Sequence, residues 1–128
     1  MTLLTALKLL SRLVKTVFTV ETIAALADEA TRRLQRLGYD NVVTRTGDAY
    51  FGWPEHAPYD SIIVTAAAAM IPPPLIDQLR PGGRMVIPVG SMFGQDLVRV
   101  RKDIDGKITT DTLLPVAFVP LTGDHLRA

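Results

Sequence analysis

Leu3, Leu7, Leu10 and Val14 recur at intervals of three or four, while Lys8, Arg12 and Lys15 fall on a separate face. That spacing predicts an amphipathic helix packed on a sheet. The three basic residues interrupt the apolar run over residues 2–20, whereas a membrane span needs roughly 20 apolar residues with almost no charge. The start Met1-Thr2-Leu3 lacks the basic opening of a secretory signal, and no small-residue cleavage site follows it. Residues 16–20 (TVFTV) are β-branched and aromatic, which suits a short strand, and Glu21 follows directly. Thr22 is positioned to cap the next helix, whose apolar residues Ile23, Leu26, Ala27, Ala30, Leu34 and Leu37 share one face before Gly38 ends it. Residues 41–45 read as a second strand, giving the helix, strand, helix, strand order of parallel βαβ units.

In the second half, Ile62, Ile63 and Val64 stand in succession within residues 59–66, the pattern of a central strand buried on both faces. Pro72, Pro73 and Pro74 can precede a helix or fill its first turn, so residues 75–79 predict a short helix closed by Pro81-Gly82-Gly83. Residues 84–89 form the next strand, with a loop at residues 90–94. Val98 and Val100 then alternate with Arg99 and Arg101 in a half-exposed strand, and Asp105-Gly106 turns the chain into an antiparallel partner. The expected fold class is α/β, a mostly parallel sheet with a C-terminal antiparallel hairpin, and residues 1–128 are read as one partial domain.

Composition narrows the function. With 128 residues, a net charge of +1 and 48% apolar residues, the chain has enough apolar material for a real core and no strong field for nucleic acid or an anionic membrane. It has no cysteine, so neither a disulfide framework nor a thiolate metal site is expected.

In a doubly wound sheet, ligands bind beside the carboxyl ends of the strands, which directs attention to the residues after each apolar run. A carboxylate at such a strand end can accept hydrogen bonds from both hydroxyls of a ribose, and Glu21 stands there. The same residue could instead serve the positive end of the following helix. Asp48 could accept a hydrogen bond from an adenine amino group or stabilise an Asx-type turn. His56 has Glu55 and Asp60 near it in sequence but no second well-placed histidine, and His125 lies in the tail, so no metal is assigned. Tyr50, Phe51 and Trp53 are read as packing over the sheet edge, and Asp103, Asp105 and Gly106 as a hairpin turn.

Three ordered blocks, GDAYFGWPEHAPYDSIIVTAAA, IPPPLIDQLRPGGRMVIPVG and FVPLTG, resemble the protein-L-isoaspartate O-methyltransferases, which use S-adenosylmethionine. The resemblance runs over residues 10–123. It implies a Rossmann-like, S-adenosylmethionine-dependent methyltransferase fold and methyl transfer to the free α-carboxylate of isoaspartyl residues in damaged proteins, a cytoplasmic protein-repair activity. It further implies that Glu21 and Thr22 line the ribose end of the cofactor site, Asp48 and Ala49 the adenine end, and that Thr122 closes over the cofactor. Thr65, Ala66 and Ala67, with Pro88, Val89 and Gly90, would border the tunnel for the isoaspartyl peptide. The catalytic residue stays unassigned.

The departures from the family pattern are specific. Residues 1–9 contain no glycine, so they cannot supply the glycine-rich turn through which a backbone approaches the cofactor. A serine-containing substrate segment is likewise not found, so the resemblance is to an N-terminally truncated member with its first strand missing. Ala49 replaces the usual glycine, and Met70 and Ala117 stand where polar or charged residues are common. In this fold the first strand lies between the second and the fourth. Without it, residues 16–20 are expected to pair directly with residues 61–65, or a second chain to complete the sheet, or the fragment to be marginally stable, since each buried unpaired backbone group costs about 1–3 kcal/mol. A second function class stays open: an inactive remnant acting as a binding or interaction module.

Overall fold

The computed structural model describes the backbone of residues 3–127 and the side chains of residues 7–126. The chain divides into two compact units, the first ending at Ala49 and the second beginning at Tyr50.

The first unit runs α1 (Leu3–Leu13), β1 (Val17–Glu21), α2 (Ala24–Arg36) and β2 (Val42–Thr46). The amphipathic reading of α1 holds: Leu7 is buried with Val17 and Leu34, and Leu10, Tyr39 and Val42 pack around them. Val14 lies beyond the helix and is exposed, and the Leu3 side chain lies outside the described residues. At the end of α1 the Val14 N–H donates to the Leu10 carbonyl at 3.2 Å, and the carbonyls that follow are met by a side chain. Asn41 supplies the donor, giving its side-chain amide to the Ser11 carbonyl at 2.6 Å and to those of Val14 and Lys15 at 3.3 Å.

α2 buries Ala27, Ala30 and Leu34, the face expected from the spacing. It stops as predicted at Gly38, whose φ of 82° is easy only for glycine. The Tyr39 N–H reaches the Leu34 carbonyl at 2.9 Å and the Gly38 N–H the Gln35 carbonyl at 3.2 Å, a Schellman closure. The start differs from expectation: Ile23, not Thr22, is the N-cap residue, and it makes no side-chain capping bond. The cap function passes to Glu21, whose Oε1 accepts the Ile23 N–H at 3.3 Å, because the longer carboxylate reaches forward from the strand end.

The second unit runs β3 (Tyr59–Ile63), α3 (Pro73–Gln78), β4 (Leu79–Ser91), β5 (Gly94–Lys102) and β6 (Ile108–Val116), in sheet order β3-β4-β5-β6. The β3–β4 ladder is parallel, and β4–β5 and β5–β6 are antiparallel. With β1–β2 also parallel, the described ladders divide evenly between the two kinds. Buried Met85 and Ile87 on β4 face the same way as Val100 on β5 and form the core with Leu75 and Leu79.

Prolines open α3 as expected, with Pro72 at the N-cap and Pro73 and Pro74 in the first turn. Its end arrives sooner than expected, since Leu79 is already in β4 and Pro81, Gly82 and Gly83 lie within that strand. Tyr59 pairs with Leu79 but Ser61 with Arg84, so the proline and glycines are absorbed in a bulge. The α3 carbonyls of Ile76 and the following Leu79 accept hydrogen bonds from the Lys102 ammonium at 2.5 and 2.6 Å, a cation where the helix end is negative. The residue 90–94 loop is tighter than expected: Ser91 pairs with Gly94, leaving Met92 and Phe93 as the turn. The Asp103–Gly106 turn forms as read, with Asp103 Oδ1 accepting the N–H groups of Asp105 and Lys107 at 2.9 and 2.8 Å.

One expectation about strand order is corrected, and one of the alternatives raised for the missing first strand is not found. β3 is an edge of the four-stranded sheet rather than central, and Ile63 is 56% exposed; an unbroken apolar run shows that both faces are to be covered, not that both edges are paired. The direct pairing of residues 16–20 with residues 61–65 is not among the ladders, as β1 pairs with β2 and β3 with β4.

Leu34 is 2% exposed and Leu13 79%. Leu34→Ala is expected to cost about 2–5 kcal/mol and Leu13→Ala no more than about 0.5 kcal/mol. Urea denaturation of the two variants checks the difference through the midpoint.

Candidate functional site

In the first unit, the site residues gather where β1 and β2 end. Glu21 pairs with Thr46, and the Gly47 N–H donates to the Glu21 carbonyl at 3.0 Å, so the two strands stop in step. Glu21 therefore stands at the same sheet end as Asp48 and Ala49, which follow β2. The Glu21 carboxylate is half buried, and only Oε1 has a hydrogen bond among the described residues. One carboxylate thus caps α2 and keeps an oxygen for a further donor, so the two roles weighed for Glu21 are compatible. Thr22 is exposed beside it, and Asp48 and Ala49 are half buried.

In the second unit, residues after β3 are drawn into two short parallel bridges. Ala68 is bridged to Val89: its N–H donates to the Pro88 carbonyl at 3.0 Å and its carbonyl accepts the Gly90 N–H at 2.9 Å. Ala67 is bridged on its other side to Pro120, with N–H···O contacts of 2.8 Å to Val119 and from Leu121. Adjacent residues can serve opposite neighbours because successive residues of an extended chain point their N–H and C=O groups to opposite sides. The tail is further held by Gln95, whose side-chain amide donates to the Phe118 carbonyl at 3.0 Å and accepts its N–H at 2.8 Å.

These bridges border a cavity of about 360 Å³ lined by residues from positions 50, 67–70, 90, 120–121 and 125–126. Of the six residues expected to border a substrate tunnel, Ala67 and Gly90 line it. Pro88 and Val89 hold the bridge behind it, and Thr65 and Ala66 lead up to it without lining it. Thr122 directly follows the lining residue Leu121, and is exposed.

Sequence reasoning gave Tyr50 and His125 no part in this wall. Tyr50 and His125 stack face to face, with centroids 4.4 Å apart and planes 5° from parallel, and both line the cavity. Nothing local signals the pairing, since the partners lie at opposite ends of the unit. The aromatic run at residues 50–53 was the available clue, and its tyrosine serves the cavity.

The glycines differ in what they tolerate. At Gly90, φ is 145° and an added Cβ would sit 2.7 Å from the Gln95 Cα. At Gly47, an added Cβ would meet its nearest neighbour, the Arg45 side chain, at an ordinary 3.5 Å. Gly90→Ala is expected to cost at least about 1–3 kcal/mol, while Gly47→Ala stays within about 1 kcal/mol of the parent. Thermal denaturation of the pair distinguishes them.

Residues 3–126 match the family model described as protein-L-isoaspartate(D-aspartate) O-methyltransferase. The chain is 61% identical over 118 residues to protein-L-isoaspartate O-methyltransferase 2 of Syntrophobacter fumaroxidans, covering 91% of this chain and 48% of that protein. It is 58% identical over 117 residues to protein-L-isoaspartate O-methyltransferase 1 of Nitrosospira multiformis, covering 91% and 50%. A solved protein-L-isoaspartate O-methyltransferase superposes with a TM-score of 0.78 at 31% identity, over 88% of this chain and 37% of that one. A putative member from Plasmodium falciparum, in complex with S-adenosyl-L-homocysteine, does so with a TM-score of 0.71 at 27% identity, over 84% and 52%. The methyltransferase fold expected from the sequence is thereby borne out. The chain spans about half the length of the curated relatives it matches.

Proposed function

The chain belongs to the protein-L-isoaspartate(D-aspartate) O-methyltransferase family, and we propose that it takes part in methyl transfer from S-adenosylmethionine to the free α-carboxylate of isoaspartyl residues in proteins. The observation that carries this reading is the paired end of β1 and β2, where Glu21 keeps a carboxylate oxygen beside the segment bearing Asp48. That pair of acceptors fits a nucleoside: a carboxylate oxygen can accept ribose hydroxyl protons, and a second carboxylate an adenine amino proton. Glu21 and Thr22 are assigned to the ribose, Asp48 and Ala49 to the adenine, and Thr122 to the cofactor as well.

When bound, S-adenosylmethionine supplies an electrophilic methyl group on a sulfonium. The isoaspartyl carboxylate is ionised at neutral pH and needs no base to become a nucleophile. The protein's part is then to align the reacting atoms and keep water out. The backbone of Ala67 and Ala68 is committed to the two bridges; that of Thr65 and Ala66, just before them, is engaged in neither and is assigned to the incoming peptide. Apolar Ala67, Gly90 and Leu121 wall the cavity and limit water there. Methylation activates the carboxylate for succinimide formation, so the biological role is repair of damaged proteins, and the same reading puts the protein in the cytoplasm. No helix among the described residues is long and apolar enough to cross a membrane.

Calorimetric titration of the 128-residue chain with S-adenosylhomocysteine tests the reading. Micromolar binding is expected, weakened roughly ten- to a hundredfold in Glu21→Ala by loss of charge-assisted hydrogen bonds. A methyl-transfer assay on an isoaspartyl peptide follows. Absence of heat at millimolar ligand, or equal binding by Glu21→Ala, would overturn the assignment.

A further inference from the structure

Gln78 is a polar residue in the last turn of α3, yet only 7% of it is exposed. Its side-chain amide donates from Nε2 to the Phe51 carbonyl at 2.8 Å, and its Oε1 accepts the Trp53 N–H at 2.9 Å. One side chain therefore pairs both backbone groups that flank Gly52, as a neighbouring strand would. Gly52 has φ of 63°, and a Cβ there would collide with the Gln78 amide, whose Cδ lies 2.9 Å from the Cβ position. Gln78 in this position thus requires glycine at 52. The Tyr59 hydroxyl adds a hydrogen bond to the Trp53 carbonyl. The residue immediately before this clamped segment is Tyr50, whose ring stacks on His125 and lines the cavity.

We propose that Gln78 is a positioning residue for the cavity: by clamping the backbone of Phe51 and Trp53 across Gly52, it fixes the Tyr50 ring against His125 as one wall of the space that Thr65 and Ala66 lead up to, and which we assign with them to the peptide. The assignment of that space rests on the proposed function, whereas the clamp itself does not. Gln78 acts through the main chain. Its amide is needed at both ends. A carboxylate of the same shape can accept from Trp53 but cannot donate to Phe51.

The chain contains two histidines, His56 and His125, and each lies against an aromatic ring, His56 edge-on to Trp53 at 4.9 Å and His125 stacked on Tyr50. Their ring protons are therefore built-in proton-NMR reporters on the two sides of the clamp, with His56→Gln and Tyr50→Leu identifying which signal is which. In Gln78→Ala, the ring-current shift of His125 is expected to be lost while the buried methyl signals of Ile87 and Val100 keep their positions. Gln78→Glu, isosteric and less prone to leave a hole, is expected to lose the shift as well. Retention of the His125 shift in both variants, with the core signals intact, overturns the proposal, as does loss that appears only together with loss of the core signals in both.

Titration with an isoaspartyl peptide supplies the functional arm. The Gln78 variants are expected to bind it roughly tenfold more weakly or worse, since small misplacements at a binding wall carry large penalties. A parent chain that binds no isoaspartyl peptide while its Gln78 variants lose the His125 shift would refute the assigned function and leave the clamp supported. A parent that binds, with variants that bind equally, would refute the positioning role.

Discussion

A backbone N–H or C=O removed from water must find a partner, and this constraint organises the molecule wherever its regular ladders run out. Four side chains take over at such places. Asn41 collects carbonyls from the end of α1, Lys102 collects those at the end of α3, and Gln95 and Gln78 each pair with both a donor and an acceptor of the main chain. Each such bond contributes only about 0.5–1.5 kcal/mol net, but leaving a buried group unpaired costs about 1–3 kcal/mol. At the part-buried bonds, those of Gln78, of Lys102 and of Asn41 to Ser11, the side chains are thus worth more for what they prevent than for what they add. Among the described residues, no buried side-chain polar atom lacks a hydrogen-bond partner.

The same constraint separates what was legible in the sequence from what was not. α2 was readable because both its signals are local: apolar residues at helical spacing, and a glycine where the chain must turn left-handed. The Asp103–Gly106 turn was readable for the same reason, since Asp103 bonds residues two and four positions away. Gln78 was not readable. In the segment LIDQL it looks like an ordinary polar residue of a short helix, and its partners lie 25 and 27 positions upstream. The Thr22 cap failed more narrowly: a threonine before a helix is a strong local signal, but a glutamate one residue earlier reached the same donor region from the strand end.

The edge position of β3 shows a different limit. Hydrophobic succession reports how many faces of a strand are to be covered, and says nothing about how many edges are paired. Ile62, Ile63 and Val64 gave the first message clearly, while the second depends on which other strands lie alongside. Of the candidate site, the part carried by strand order was legible: Glu21 and Asp48 follow parallel neighbours, and Ala67 and Gly90 meet at one cavity. The part carried by the tail was not, because His125 has no pattern around it that points toward Tyr50.

This difference has a chemical reading. A reaction whose nucleophile arrives already ionised asks little of catalytic side chains and much of placement. The proposed methyl transfer is of that kind, and one side of the cavity suits it, with Ala67, Ala68 and Gly90 held by two bridges on opposite sides of one extended segment. Alanine at 67 and 68 lets that segment lie close between its neighbours, and Gly90 has no room for a Cβ against Gln95. A wall made of backbone is rigid at low side-chain entropy cost, since alanine and glycine have almost no rotamer freedom to lose. Such a site leaves few chemically loud residues in the sequence. Its signature is instead a run of small residues after a strand and a glycine at the end of the next.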